Sequence, residues 1–102
     1  MGRRSIIAKR LEQARKRAGI SSQKKLGVLA GMDVTGASTR MNYYARGKNQ
    51  PKLQIMKRIA AVVHTPVPYF YCEDDTLADL ILKFGTLDEA QKKRLVGFLN
   101  GL

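Results

Sequence analysis

The stretch that decides the fold is QKKLGVLAGMDVTGASTRMNYYARGKNQP, residues 23–51. Its opening places Leu26, Leu29 and Ala30 on one side of a helix over residues 23–30. Ser21 or Ser22 supplies the cap, and Gly31 the stop. Residues 32–36 read as irregular. A second segment, residues 37–45, turns Met41 and Tyr44 inward and leaves Ser38, Thr39, Arg40, Asn42 and Tyr43 pointing outward; its helix starts there or as early as Thr35. Arg46-Gly47-Lys48-Asn49-Gln50-Pro51 is a basic turn punctuated by Gly and Pro. Gly27 is the small residue that a close crossing of the two helices requires.

Working outward, Ile7, Leu11, Ala14 and Ala18 recur at steps of four, three and four, which gives a helix over residues 5–18 closed by Gly19. Lys9, Arg10, Lys16 and Arg17 lie mostly off its apolar face. Downstream, Leu53, Met56, Ile59, Ala60 and Val63 mark a helix over residues 52–63. Thr65-Pro66-Val67-Pro68 breaks it, and Tyr69, Phe70 and Tyr71 form a short aromatic turn that closes the core. The tail holds two more helices. One spans residues 76–84 with Leu77, Leu80, Ile81 and Phe84 on one face; the other spans residues 88–99, opened by a Thr86-x-x-Glu89 capping box. No stretch alternates with period two. The expected fold is all-α: a compact five-helix domain with a helix-turn-helix in residues 1–72, followed by a C-terminal helical hairpin in residues 73–102.

The chain has 102 residues, one domain's worth. Its 44% hydrophobic content is that of a globular protein. The formal charge is +11, and it is unevenly spread. Residues 1–58 hold 15 Lys and Arg against two acids, Glu12 and Asp33, a net +13. Residues 59–102 hold four bases against six acids, a net −2. Such asymmetry points to a polyanion at the first half and a different task for the second.

A groove-reading helix must stand proud on a brace, and its outer face needs short hydrogen-bonding side chains. Asn pairs with adenine edges, Arg with guanine, and a Thr methyl packs on a thymine methyl. The outward residues of the second segment have that chemistry. The run Arg10 to Ile20, then Gln23 to Gly31, then Asn42 through Pro51, continued by the helix of Leu53 to Val63 and by Val67-Pro68-Tyr69-Phe70, resembles the Cro/repressor-type (Xre-type) helix-turn-helix regulators of bacteria and phages. The resemblance covers roughly residues 6–72.

It implies sequence-specific binding of double-stranded DNA, with base contacts from Ser38, Thr39, Arg40, Asn42 and Tyr43. It also implies backbone contacts from Gln23, Lys24, Arg46, Lys48 and Lys52, Gln23 being supported by the amides of its helix's first turn. The leading reading is a repressor that occupies its site as a homodimer, and the near-neutral tail with its two amphipathic helices is the candidate for the dimer contact. Three departures stand out. The segment between Gly31 and Met41 is about four residues longer than usual. Ala45 replaces the Glu that the family often pairs with an Arg at the position of Arg15, leaving Arg15 to reach DNA or a C-terminal carboxylate. His64 stands where a helix-ending Gly is usual.

Two readings of the tail remain open at this point: a dimer contact, or a hairpin folded back on its own core. A second class of function is an antitoxin-like protein whose tail binds a partner protein; a third is a basic module for RNA or a membrane surface, which the short polar residues at 38–43 argue against. No apolar run is long enough to span a bilayer, and a soluble cytoplasmic protein, nucleoid-associated when bound, is expected. No catalytic site, cofactor or metal site is expected: His64 has no second imidazole, Cys72 has no partner thiol, and no Ser or Thr has a companion base. The run Glu73-Asp74-Asp75 reads as a helix start. Arg3 and Arg4 form either an arm that reaches a groove or a frayed end.

Overall fold

The computed structural model describes residues 5–102, so the arm question at Arg3 and Arg4 lies outside the described residues. Six α-helices and one 3₁₀ turn follow one another, with no strand among the described residues: α1 Ile6–Arg17, α2 Gln23–Leu29, α3 Val34–Ala45, α4 Leu53–Val62, the 3₁₀ turn Val67–Tyr71, α5 Asp75–Gly85 and α6 Glu89–Asn100. Ser5 caps α1 by accepting from the Ala8 N–H at 3.1 Å, and Ser22 caps α2 by accepting from Lys25 at 3.0 Å.

The first four helices stop in one way. Gly19, Gly31 and Gly47 follow α1, α2 and α3 at φ of 73°, 93° and 73°, and His64 follows α4 at φ 51°. After each, the next N–H returns to a carbonyl of the last turn: Ile20 to Arg15, Met32 to Gly27, Lys48 to Tyr43 and Thr65 to Ala60, at 2.9–3.1 Å. These are Schellman endings. A side chain in the left-handed region costs roughly 1–2 kcal/mol. His64 holds that conformation because its own N–H also bonds the Ala61 carbonyl and the following Thr65 is buried, its hydroxyl donating to Val63 at 2.9 Å.

One core unites α1 to α4 and the 3₁₀ turn around the fully buried Leu11, Leu26, Met41, Met56, Ile59 and Phe70. Leu29 and Leu53, expected inside, are instead about half exposed, at 53% and 54%. Each lies at a helix terminus, the last residue of α2 and the first of α4, beyond the packed middle turns. Tyr69 and Phe70 close the core edge-to-face, with ring centroids 5.4 Å apart, while Tyr71 stays exposed.

The crossing of α2 and α3 fixes the angle of the third helix. A Cβ on Gly27 would lie 2.7 Å from Met41 Cγ, 3.0 Å from Met32 Sδ and 3.3 Å from the Ala37 methyl. The helices approach closely because no side chain separates them there. The residues expected to be irregular, 32–36, are mostly helical: α3 begins at Val34, with the Asp33 carbonyl accepting from Gly36 and Ala37. Ala37 is fully buried and anchors that added turn. The extra residues therefore lengthen the helix, not the turn before it.

Arg10 is a second departure. Sequence periodicity sets it off the apolar face, yet it is only 3% exposed. Its guanidinium donates to the Cys72 carbonyl at 2.8 and 2.9 Å, to Gln13 Oε1 at 2.9 Å and to Asp75 at 3.0 Å. It also lies 5.3 Å from the Tyr69 ring centroid, and the Tyr69 hydroxyl donates to the same Gln13 oxygen at 2.9 Å. Arg10 thus ties α1 to the start of α5. Among the described residues Arg15 is paired with no carboxylate; its guanidinium donates to the Ile20 carbonyl at 2.8 Å, locking the end of α1.

The tail adds α5 to the edge of that core and α6 beyond it. α5 starts on an Asp74 cap that accepts from Leu77 at 3.0 Å, buries only Ala78, and stacks Gly85 against Pro66. The capping box of α6 pairs Asp88 with Gln91, two residues on from the expected one; Thr86 instead closes α5 by donating to the Lys83 carbonyl at 2.7 Å. α6 buries no residue. The radius of gyration, 15.1 Å, exceeds the roughly 13 Å of a compact chain of about this length. Of the two tail helices, α5 rests on the core through Ala78, Ile81 and Leu82, while α6 extends from it.

Two expectations follow. Gly27→Val forces Met41 and Met32 off their rotamers and should lower stability by about 1–3 kcal/mol in urea unfolding. Asp75 is held below its ordinary value of 3.8 by hydrogen bonds from Arg10 and then Lys9, aided by their charges. A lowered native value stabilises above 3.8, and the stabilisation is lost as pH falls through that value. Asp75→Asn should therefore lower the melting temperature at neutral pH, with the difference fading on acidification below 3.8.

Candidate nucleic-acid interface

With Ala37, Met41 and Tyr44 buried and about 3.6 residues per turn, the opposite side of α3 is defined. Thr35, Thr39, Asn42 and then Arg46, at the end of the helix, run down its centre. Ser38 and Tyr43 flank that line. All six are exposed. The face is polar, short in side chain at its leading end, and cationic at its trailing end.

Arg40 stands apart from the line. It leans along the helix, donating to the Tyr44 hydroxyl at 3.4 Å, and borders a cleft of 360 Å³ whose other wall includes Asn49, Gln50, Lys52 and Gln54. The basic turn forms the lower edge of this cleft. Its shape comes from Gly47, which packs so closely that a Cβ would lie 3.2 Å from Ser5 Oγ. Arg46, Lys48 and Lys52 are exposed around it.

At the start of α2, Gln23 is half-buried, with its Oε1 buried and unbonded. Lys24 is exposed beside it. None of α1 to α4 carries an acid within its first turn, and at the start of α3 the N-cap Asp33 makes no side-chain capping hydrogen bond. The acids that anchor the chain sit elsewhere, at Asp74, Asp75 and Asp88.

The residues expected to contact bases are thus brought together on one helix, except that Arg40 lies on its flank. The backbone set falls into two places, with Arg46, Lys48 and Lys52 at the basic turn and Gln23 and Lys24 at the start of α2. Thr35 was missed as a surface residue of this face. The spacing that reveals it, Thr35-Thr39-Asn42 at steps of four and three, becomes legible once α3 is known to begin at Val34.

A second surface lies on the tail. Pro66, Leu77, Leu80, Phe84, Val96 and Leu99 belong to the wholly apolar lining of a 380 Å³ groove between α5 and α6. Phe98 and Leu102 are also open, at 67% and 86%. Among the described residues no helix is long and apolar enough to cross a membrane.

The chain is similar to a solved structure, the crystal structure of the transcriptional regulator BswR. The two share 45% identity and a TM-score of 0.84, over 93% of this chain and 93% of that one. No family model matches the sequence, and no curated protein does.

Proposed function

The chain belongs to the family of the transcriptional regulator BswR, and on that premise we propose that it binds double-stranded DNA sequence-specifically as a helix-turn-helix regulator of the Cro/repressor (Xre) type. α3 lies in the major groove, whose width of about 12 Å admits a helix. Ser38, Thr39, Asn42 and Tyr43 read base edges. Arg46, Lys48, Lys52, Gln23 and Lys24 hold the phosphates and set the register. The flank position of Arg40, bordering the same cleft as Lys52, favours a phosphate for it as well. Regulation is repression by occupancy of the site. The observation that carries this reading is the polar outer line of α3, held proud by the Gly27 crossing and bounded by the basic turn.

In this reading residues 1–72 form the DNA-binding unit and residues 73–102 the pairing unit. A helix of 12 residues with nothing buried is marginal alone, so α6 needs a covering surface. A second copy fits it. The tail is nearly neutral while the head carries the charge, so two copies meet there without strong repulsion. Two heads then address half-sites about 34 Å apart. The antitoxin-like alternative rests on the same apolar groove, covered by a different protein.

Binding to duplexes across a salt series tests the DNA reading. A selected site should be bound roughly a thousandfold tighter than random duplex. Lys48→Ala should weaken all duplexes alike and reduce the salt slope by about one unit. Asn42→Ala should relax one base position, at about 1–3 kcal/mol of discrimination. Equal affinity for every duplex contradicts the reading.

Sedimentation tests the tail. The wild-type chain should be a dimer, and Leu80→Glu with Leu99→Glu should yield a folded monomer that binds DNA more weakly. A wild-type monomer favours the protein-partner alternative.

A further inference from the structure

The Arg10 clamp also forms one wall of an open cleft of 340 Å³ at the joint between head and tail. Gln13 and Arg17 of α1 line it on the head side, over the buried Tyr69 ring. Ala78, Asp79 and Leu82 of α5 line it on the tail side. The cleft shares no residue with the outer face of α3 or with the apolar groove of the tail. Its volume falls at the lower end of the roughly 300–1,000 Å³ of small-molecule pockets.

The polar groups of this cleft do not balance. Both of its carboxylates are already engaged, Asp75 by Arg10 and Lys9 at 3.0 and 3.4 Å, Asp79 by Lys83 at 2.9 Å. The donors are not. Arg17 stacks on the Tyr69 ring, 5.0 Å from its centroid. Among the described residues its N–H groups reach only two neutral hydroxyls, Tyr69 at 3.4 Å and Thr65 at 3.5 Å, both long contacts. Gln13 is fixed by its oxygen, which accepts from Arg10 and from Tyr69 at 2.9 Å each. That leaves the two N–H groups of its Nε2 without a partner among the described residues. An exposed arginine ordinarily spends its donors on water. Here an aromatic ring holds it in one orientation, with a second unspent donor and the half-buried Leu82 on the same cleft.

We propose that this cleft is an effector site for a small carboxylic acid, whose carboxylate pairs with Arg17 and accepts from Gln13 Nε2 while its hydrocarbon part lies against Leu82. A planar carboxylate matches the guanidinium fork, and an apolar wall favours an acid with a hydrocarbon body over a bare anion. Such a ligand ties α1 to α5 beside the Arg10 clamp and so sets the angle at which the tail carries the head. The regulatory consequence rests on the dimeric DNA-binding reading above, in which that angle fixes the spacing of the two α3 helices. Ligand and duplex then change each other's affinity by the same factor. The site itself stands without that reading.

The test titrates the full chain, free of DNA, with acetate, butanoate, hexanoate, octanoate, benzoate and inorganic phosphate in a calorimeter. Binding should be saturable and tighten with chain length, and it should move the Gln13 side-chain amide signals in NMR spectra. Gln13→Glu keeps an oxygen for Arg10 and Tyr69 but replaces the free donor with a second carboxylate oxygen. It should keep the fold and weaken octanoate by about tenfold or more, as should Arg17→Met. Lys16→Met removes the same charge one residue away and should leave the affinity unchanged. No saturable binding of any of the acids overturns the site. So does phosphate or acetate binding as tightly as octanoate, which is attraction to a cationic chain alone, and so does an affinity that Gln13→Glu and Arg17→Met leave intact. Saturating octanoate should then change the affinity for a selected duplex by about fivefold or more; an unchanged affinity overturns the regulatory role. If no duplex is selected, the DNA-binding reading falls, and the titration still decides the cleft.

Discussion

The contact on which the rest of the molecule depends is the side-chain-free crossing at Gly27. Met41 Cγ, Met32 Sδ and the Ala37 methyl occupy the space that any side chain there would need. Because these three residues also hold α3 to the core, the crossing sets how far α3 stands out and which residues it shows. Moving the helices apart by one methyl would shift Thr39 and Asn42 relative to the basic turn. Interiors pack too densely for that displacement to be absorbed elsewhere.

A second constraint joins the two halves of the chain. Arg10 is buried at the foot of α1 and satisfied by a carbonyl, an amide oxygen and a carboxylate. A buried guanidinium needs several acceptors to offset its lost hydration, and the chain provides them only when Cys72 and Asp75 are in place. The start of α5 is thereby fixed relative to α1, whatever covers α6. Charge is partitioned to match. The acids concentrate where they cap or clamp the tail, and the head keeps its cationic surface, so solvent-facing charge serves one half and charge pairing the other.

Much of this was legible from the residues alone. The helices of Ile7, Leu11 and Ala14, and of Met56, Ile59, Ala60 and Val63, follow from spacing because each packs one stripe against a single core. The stops at Gly19, Gly31 and Gly47 were legible because left-handed backbone favours glycine, and His64 could be located only by the glycine it replaces. What spacing missed came from tertiary context. The start of α3 was obscured because Val34, Thr35 and Gly36 are poor helix formers, and only the burial of Ala37 makes that turn worthwhile. Arg10 was placed outside because periodicity ranks side chains by polarity and cannot see the acceptors that arrive from 62 to 65 residues away. The α6 cap was misplaced by two residues because Thr86-x-x-Glu89 and Asp88-x-x-Gln91 are equally good patterns, and Thr86 was already engaged by α5.

The central claim is that two copies of α3 enter successive major grooves on one face of a duplex. Methylation interference on a selected duplex tests it most directly, because methylation of guanine N7 obstructs the major groove. The account predicts two patches of interference about 10 base pairs apart, centre to centre, with minor-groove adenine methylation between them tolerated. Interference confined to the minor groove, or scattered without that spacing, would contradict it.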